Sequence, residues 1–179
     1  YPRTVIGDRA QIFAGAVIGA PGFGHAHDEE GRAVRIPHLG RVVVEEDAEI
    51  GANTCVDRAS FGETRIGARA KLDNLVQVGH NADIGPDVMI AGQSGVSGSS
   101  RLGRGVVMGG QSGLADHVTV GERSSVAAKT AVFHDVEPGQ TVAGVPAQPI
   151  SKWRRMIAAQ AKLPEIWAAV RRLGRSEES

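Results

Sequence analysis

His80, Gly98 and Asp116 stand eighteen residues apart, and His117 directly follows the last of them. An imidazole titrates near neutral pH and can serve as a general base. A glycine lets a substrate come close to a backbone N–H, which suits a developing oxyanion. Asp73 and Asn74 lie seven and six residues before His80. The Asp73 carboxylate is expected to orient the imidazole and favour its productive tautomer. A lone surface histidine is ordinarily only solvated; the company of Asp73, Asn74 and Gly98 favours chemistry at His80. For His117, substrate contact and plain solvation are equally compatible with the sequence.

Eighteen is three times six, and six is the period of the chain. Ile66, Leu72, Val78, Ile84, Ile90, Val96, Leu102, Met108, Leu114, Val120, Val126 and Val132 recur at every sixth position. Neither a helix nor an alternating strand has this period. A short strict repeat indicates a parallel β-helix with three hexads to a coil and stacked coils about 4.8 Å apart. Hexad aliphatics then point inward, and reactive groups sit outward or on corners. The residue after each aliphatic is nearly always small. Leu72, however, is followed by Asp73, and Val56 by Asp57.

The repeat predicts an all-β solenoid over residues 1–147, interrupted by a loop at 19–41 and a smaller excursion at about 60–64. The first loop carries Gly22-Phe23-Gly24, which is too short for a dinucleotide fingerprint. A helical extension is expected over 148–179, with apolar stripes Ile150, Trp153, Met156, Ile157 and Leu163, Ile166, Trp167, Val170, Leu173. Lys152, Arg154, Arg155, Lys162, Arg171, Arg172 and Arg175 give it a basic face. Charge alone reads as a solvated face, with a docking surface for an acidic partner as the alternative.

Lys plus Arg and Asp plus Glu number 20 each, so net charge points to neither nucleic acid nor a membrane surface. Aromatic residues make up 4% and glycines number 24, as a narrow solenoid with tight corners requires. The single Cys55 excludes an intrachain disulfide and suits a reducing cytoplasm. No apolar run is long enough for a membrane span, so stable insertion is not expected. A metal needs about three converging ligands. His80 and His117 have only His134, 17 residues further on, as a third histidine, and no metal is expected. Tyr1 lies almost directly before the first repeat, which leads us to expect that an N-terminal portion precedes this sequence.

The hexads, Leu72-Asp73-Asn74-Leu75-Val76-Gln77-Val78-Gly79-His80-Asn81 and Gly19-Ala20-Pro21-Gly22-Phe23-Gly24 together resemble the UDP-3-O-acylglucosamine N-acyltransferases of lipid A biosynthesis. So do Val56-Asp57-Arg58 and the tail from Gly144-Val145-Pro146 through Ser151-Lys152-Trp153-Arg154-Arg155. The resemblance covers essentially the whole chain. It implies a left-handed β-helix in a homotrimer with active sites between subunits. It implies cytoplasmic transfer of a 3-hydroxyacyl chain from acyl carrier protein to the 2-amino group of a UDP-linked acylglucosamine. The donor's phosphopantetheine arrives on the carrier protein, with no resident cofactor. In that frame His80 is the base and Gly98 N–H the oxyanion donor, with Asp73 beside them. Asn74, Asn81 and His117 contact substrate, and Lys152, Arg154 and Arg155 meet the carrier protein. The family's N-terminal domain, which helps bind uridine, has no counterpart in this sequence. An acetyl-CoA-dependent sugar N-acetyltransferase and a non-catalytic trimeric scaffold are the rival readings.

Overall fold

The computed structural model describes residues 1–176, with side chains described through 171 except at 169. The side chains of Arg172, Leu173 and Arg175, counted above in the helical stripe and basic face, lie outside the described residues.

Each hexad of the long run folds as a two-residue strand and a corner, as in Lys71–Leu72, Gln77–Val78 and Asp83–Ile84. The second residue of each strand is the aliphatic, and it is buried. Successive strands belong to three walls. Wall A contains Glu63–Ile66, Asp83–Ile84 and Arg101–Leu102; wall B contains Lys71–Leu72, Met89–Ile90 and Val107–Met108; wall C contains Cys55–Arg58, Gln77–Val78, Gly95–Val96 and Gly113–Leu114. Pairing within a wall is parallel, and Gln77 faces Gly95 as Val78 faces Val96, a step of one coil.

Corners show a second periodicity that the residue types do not announce. Arg69, Leu75, Asn81, Asp87, Gln93 and Ser99 all adopt the left-handed region, with φ between 58° and 62°. That conformation costs a non-glycine residue about 1–2 kcal/mol. It is offset where the corner N–H reaches the preceding coil: Leu75 N–H donates to the Ala52 carbonyl at 3.0 Å and His117 N–H to the Gly98 carbonyl at 3.1 Å. Ser94 and Ser112 turn their hydroxyls inward and both donate to the Gly109 carbonyl, so these buried polar groups are satisfied.

The excursion predicted over 19–41 begins slightly later. Val17–Pro21 stays on wall C, pairing Ala20 with Asp57 after an irregularity that follows Ile18. His25–His27 and Ala33–Arg35 then form an antiparallel hairpin, and the chain rejoins wall A at Arg41–Val44. On the first coil Ile6 and Ile12 are exposed, unlike their counterparts further along.

After Thr141–Ala143 the chain turns back through Gln148–Pro149 into α1 (Ile150–Ala161) and α2 (Leu163–Ser176). Trp153 packs against the Gly144 turn, where an added Cβ would stand 2.7 Å from its ring. Beyond that anchor Met156, Ile157, Ile166 and Trp167 are exposed. The contact of Trp153 with the solenoid lies at the start of α1. No helix among the described residues is long and apolar enough to cross a membrane.

Candidate active site

His80 occupies the corner where wall C turns into wall A. Its Nδ1 lies 3.2 Å from the Asn81 side-chain oxygen. That carboxamide is held in one orientation, because its Nδ2 donates to the Phe61 carbonyl at 2.8 Å and its Oδ1 accepts from Ser60 N–H at 3.0 Å. Oδ1 can only accept, so the His80 proton resides on Nδ1 and the Nε2 lone pair is free. Nε2 and Cε1 both lie 2.8 Å from where a Cβ on Gly98 would stand. Any side chain at 98 would displace the ring. The Gly98 N–H has no acceptor among the described residues. A free base nitrogen and a backbone N–H without an acceptor thus belong to neighbouring residues of one edge.

They open into a cleft of about 560 Å³ lined by Pro21, Gly22, Asp57, Gln77, His80, Gly98 and Asp116, among others. The eighteen-residue column from His80 to Asp116 is therefore a real edge of the cleft. Asp57 lies on the same wall, one coil before Gln77, and its Oδ2 accepts from Gln77 Nε2 at 3.0 Å. Burial lifts the Asp57 carboxyl above the ordinary carboxylate range, with the Gln77 hydrogen bond and the nearness of the His80 and His38 imidazoles acting in the opposite direction. Asp57 stood out in the sequence as an acidic exception, but its place near His80 did not. His38 was missed as well. It is buried, and its ring centroid lies 5.2 Å from that of His80.

Several expected members lie elsewhere on the same chain. Asp73 turns the corner from wall B to wall C, one corner before His80. Its carboxylate accepts from Asn74 N–H at 2.7 Å and Gly92 N–H at 3.0 Å. The orienting role assigned to it within one chain is filled by Asn81. A separation of seven residues crosses a whole wall and so reaches a different edge. Asn74 accepts from Ala52 N–H at 2.7 Å and lines, with Asp73, a second hollow of about 580 Å³ that includes Lys71, Met89 and Val107. Asn81, expected to bind substrate, has its side-chain oxygen and nitrogen committed to protein partners. His117 lies past the His80 edge, in a polar hollow with Arg65, Asp83 and Arg101. Lys152, Arg154 and Arg155 are exposed on α1 and make no ion pair with a described residue.

No family model matches the chain. Curated relatives do. A UDP-3-O-acylglucosamine N-acyltransferase of Caulobacter sp. (strain K31) is 47% identical over 155 residues, covering 87% of this chain and 45% of the relative. One of Anaeromyxobacter dehalogenans is 45% identical over 98% of this chain and 51% of its own length. The chain thus spans about half the length of the curated relatives it matches. Among solved structures, a UDP-N-acetylglucosamine O-acyltransferase of Moraxella catarrhalis superposes with a TM-score of 0.72 at 24% identity, covering 82% of this chain and 55% of that one. A second UDP-N-acetylglucosamine acyltransferase gives 0.74 at 23% identity over 97% and 66%. These neighbours fix the solenoid as a left-handed parallel β-helix, running against the usual right-handed crossover of parallel strands. Over nearly all of its own length the chain is a homologue of the UDP-3-O-acylglucosamine N-acyltransferases.

Proposed function

We propose that this chain carries the acyl-transfer site of an N-acyltransferase. It moves a 3-hydroxyacyl chain from acyl carrier protein to the 2-amino group of UDP-3-O-acylglucosamine in lipid A biosynthesis. The carrying observation is the pairing of an imidazole nitrogen with no proton and a backbone N–H with no acceptor, at one edge of a cleft. The amine attacks the thioester carbonyl, His80 Nε2 takes the amine proton, and Gly98 N–H receives the oxyanion. Collapse expels the thiolate, which recovers the proton from the imidazolium. Amide and carrier thiol leave, and the enzyme is unchanged. No covalent acyl-enzyme and no resident cofactor is needed, because the thioester on the carrier's phosphopantetheine arm is already activated.

A homotrimer accounts for the separation of Asp73 from His80. Different patches that meet around a three-fold axis close into a ring. The hollow lined by Asp73 and Asn74 on one subunit then faces the His80 cleft of the next, so that both walls contact one substrate. His117 supports the substrate from the adjoining edge, and the basic face of α1 meets the acidic carrier protein in the cytoplasm.

The test pairs UDP-3-O-acylglucosamine with hydroxyacyl carrier proteins of several chain lengths and with acetyl-CoA as competitor. Transfer from the carrier thioester is expected, with His80→Ala reducing kcat by ~10²–10⁴-fold. Transfer from acetyl-CoA alone would assign the chain to the sugar N-acetyltransferases instead.

A further inference from the structure

His38 takes no part in the proton transfer, yet its surroundings are unusual. It is 7% exposed, and its Nε2 is the one buried side-chain nitrogen or oxygen among the described residues with no hydrogen-bond partner. Its Nδ1 lies 3.0 Å from the Ile36 carbonyl oxygen. A carbonyl only accepts, so Nδ1 holds the proton and Nε2 keeps a bare lone pair. An unpaired buried acceptor is destabilising, and an apolar side chain of similar size would avoid that cost. An imidazole in this place calls for a reason.

The reason lies in what it touches. The planes of His38 and His80 meet edgewise at 64°. The backbone of Gly22-Phe23-Gly24 lies against both. A Cβ on Gly22 would stand 3.1 Å from His38 Nε2 and 3.1 Å from His80 Cβ, and one on Gly24 would stand 2.7 Å from His38 Cε1. Glycines are needed here because the two rings occupy the space. Asp57 faces both imidazoles from wall C, while Asp116 at the edge and Arg35 on the hairpin line the same cleft as His80.

We propose that His38 is a positioning residue for the base: delivered by the hairpin excursion, it holds His80 in the rotamer that brings Nε2 to Gly98, and its unpartnered lone pair supports the positive charge that ring acquires. This rests on the reading of His80 as the base.

Histidine nitrogen shifts, followed by NMR on the full chain from about pH 5 to 8, test this without any substrate. His38 is expected as the neutral Nδ1–H tautomer throughout the range in which His80 titrates. In His38→Phe, which keeps the ring and removes the lone pair, the His80 midpoint is expected about half a pH unit lower. His38→Gln, which restores a carbonyl acceptor, is expected to recover most of that shift. In the assay kcat falls about tenfold or more in His38→Phe, with KM for both substrates little changed. An Nε2–H tautomer, a His38 that protonates ahead of His80, or an unmoved His80 midpoint in a folded His38→Phe overturns the proposal. The wild-type tautomer decides the matter even if His38→Phe does not fold. A chain that transfers no acyl group would instead overturn the assignment of the base and leave the titration standing.

Discussion

An amide and a carboxylate flank His80, and they act in different ways. The Asn81 carboxamide selects the tautomer without adding charge, so it orients His80 without holding a proton on it. The carboxylate of Asp57 sits further off, half-buried and tied to Gln77, where it favours the imidazolium once formed. Its burial has a consequence for stability. The folded carboxyl keeps its proton to higher pH than it would in the unfolded chain. Just above the ordinary carboxylate range the native state therefore binds more protons than the unfolded one, and stability falls as pH rises through that window. Asp57→Asn removes this dependence. Its melting temperature, relative to wild type, is expected to be higher at about pH 7 than at about pH 4. Thermal unfolding at both values checks the sign, and a gain confined to the acid side would show that the carboxylate is favourably solvated in the fold.

Strand pairs give the solenoid its rigidity, and each rests on one inward aliphatic. Ile90 is 2% exposed while its neighbour Met89 is 54% exposed, so the two residues of one strand make an internal comparison. Ile90→Ala is expected to cost about 2–5 kcal/mol, through lost burial and a cavity that parallel coils cannot collapse to fill. Met89→Ala should stay within about 0.5 kcal/mol in the isolated chain. Denaturant unfolding of both variants separates these outcomes. The same regularity explains what could be read from residue order. Period six located the inward positions, and its multiple of three placed His80, Gly98 and Asp116 on one edge. Spacings that are not multiples of eighteen rotate around the solenoid, and so the seven residues from Asp73 to His80 count against a shared edge on one chain. Asn81 was visible as a residue, but its function depends on the left-handed φ of 60° that points it back toward residues 60 and 61. His38 arrives on an aperiodic hairpin, whose landing place no repeat encodes.

At the scale of the whole molecule, solenoid and helices divide the work. The cleft with His80 and Gly98 belongs to the solenoid, whereas Lys152, Arg154 and Arg155 project from a helix that meets it through Trp153. Exposed basic groups chiefly raise association rates with an acidic partner, and salt screens them. Reversing all three to glutamate is expected to raise KM for the acyl carrier protein about tenfold and flatten its salt dependence, with kcat little altered. Steady-state kinetics at low and high ionic strength measure this. A KM that fails to move would place the carrier elsewhere.

The pairing of Gln77 with Gly95 has a consequence for how such a chain can change over generations. A duplication of eighteen codons slides into the stack as a complete new rung and leaves every wall in register. Within the uninterrupted run, a length that is not a multiple of six shifts aliphatics onto the surface. Beyond Asp116 such a duplication lengthens the molecule and spares the reaction. An unrelated rung of eighteen residues inserted between His80 and Gly98 would leave the solenoid intact yet set the two one rung further apart, about 4.8 Å. The lineage can therefore lengthen freely at one end, while the block from 80 to 98 can neither grow nor shrink.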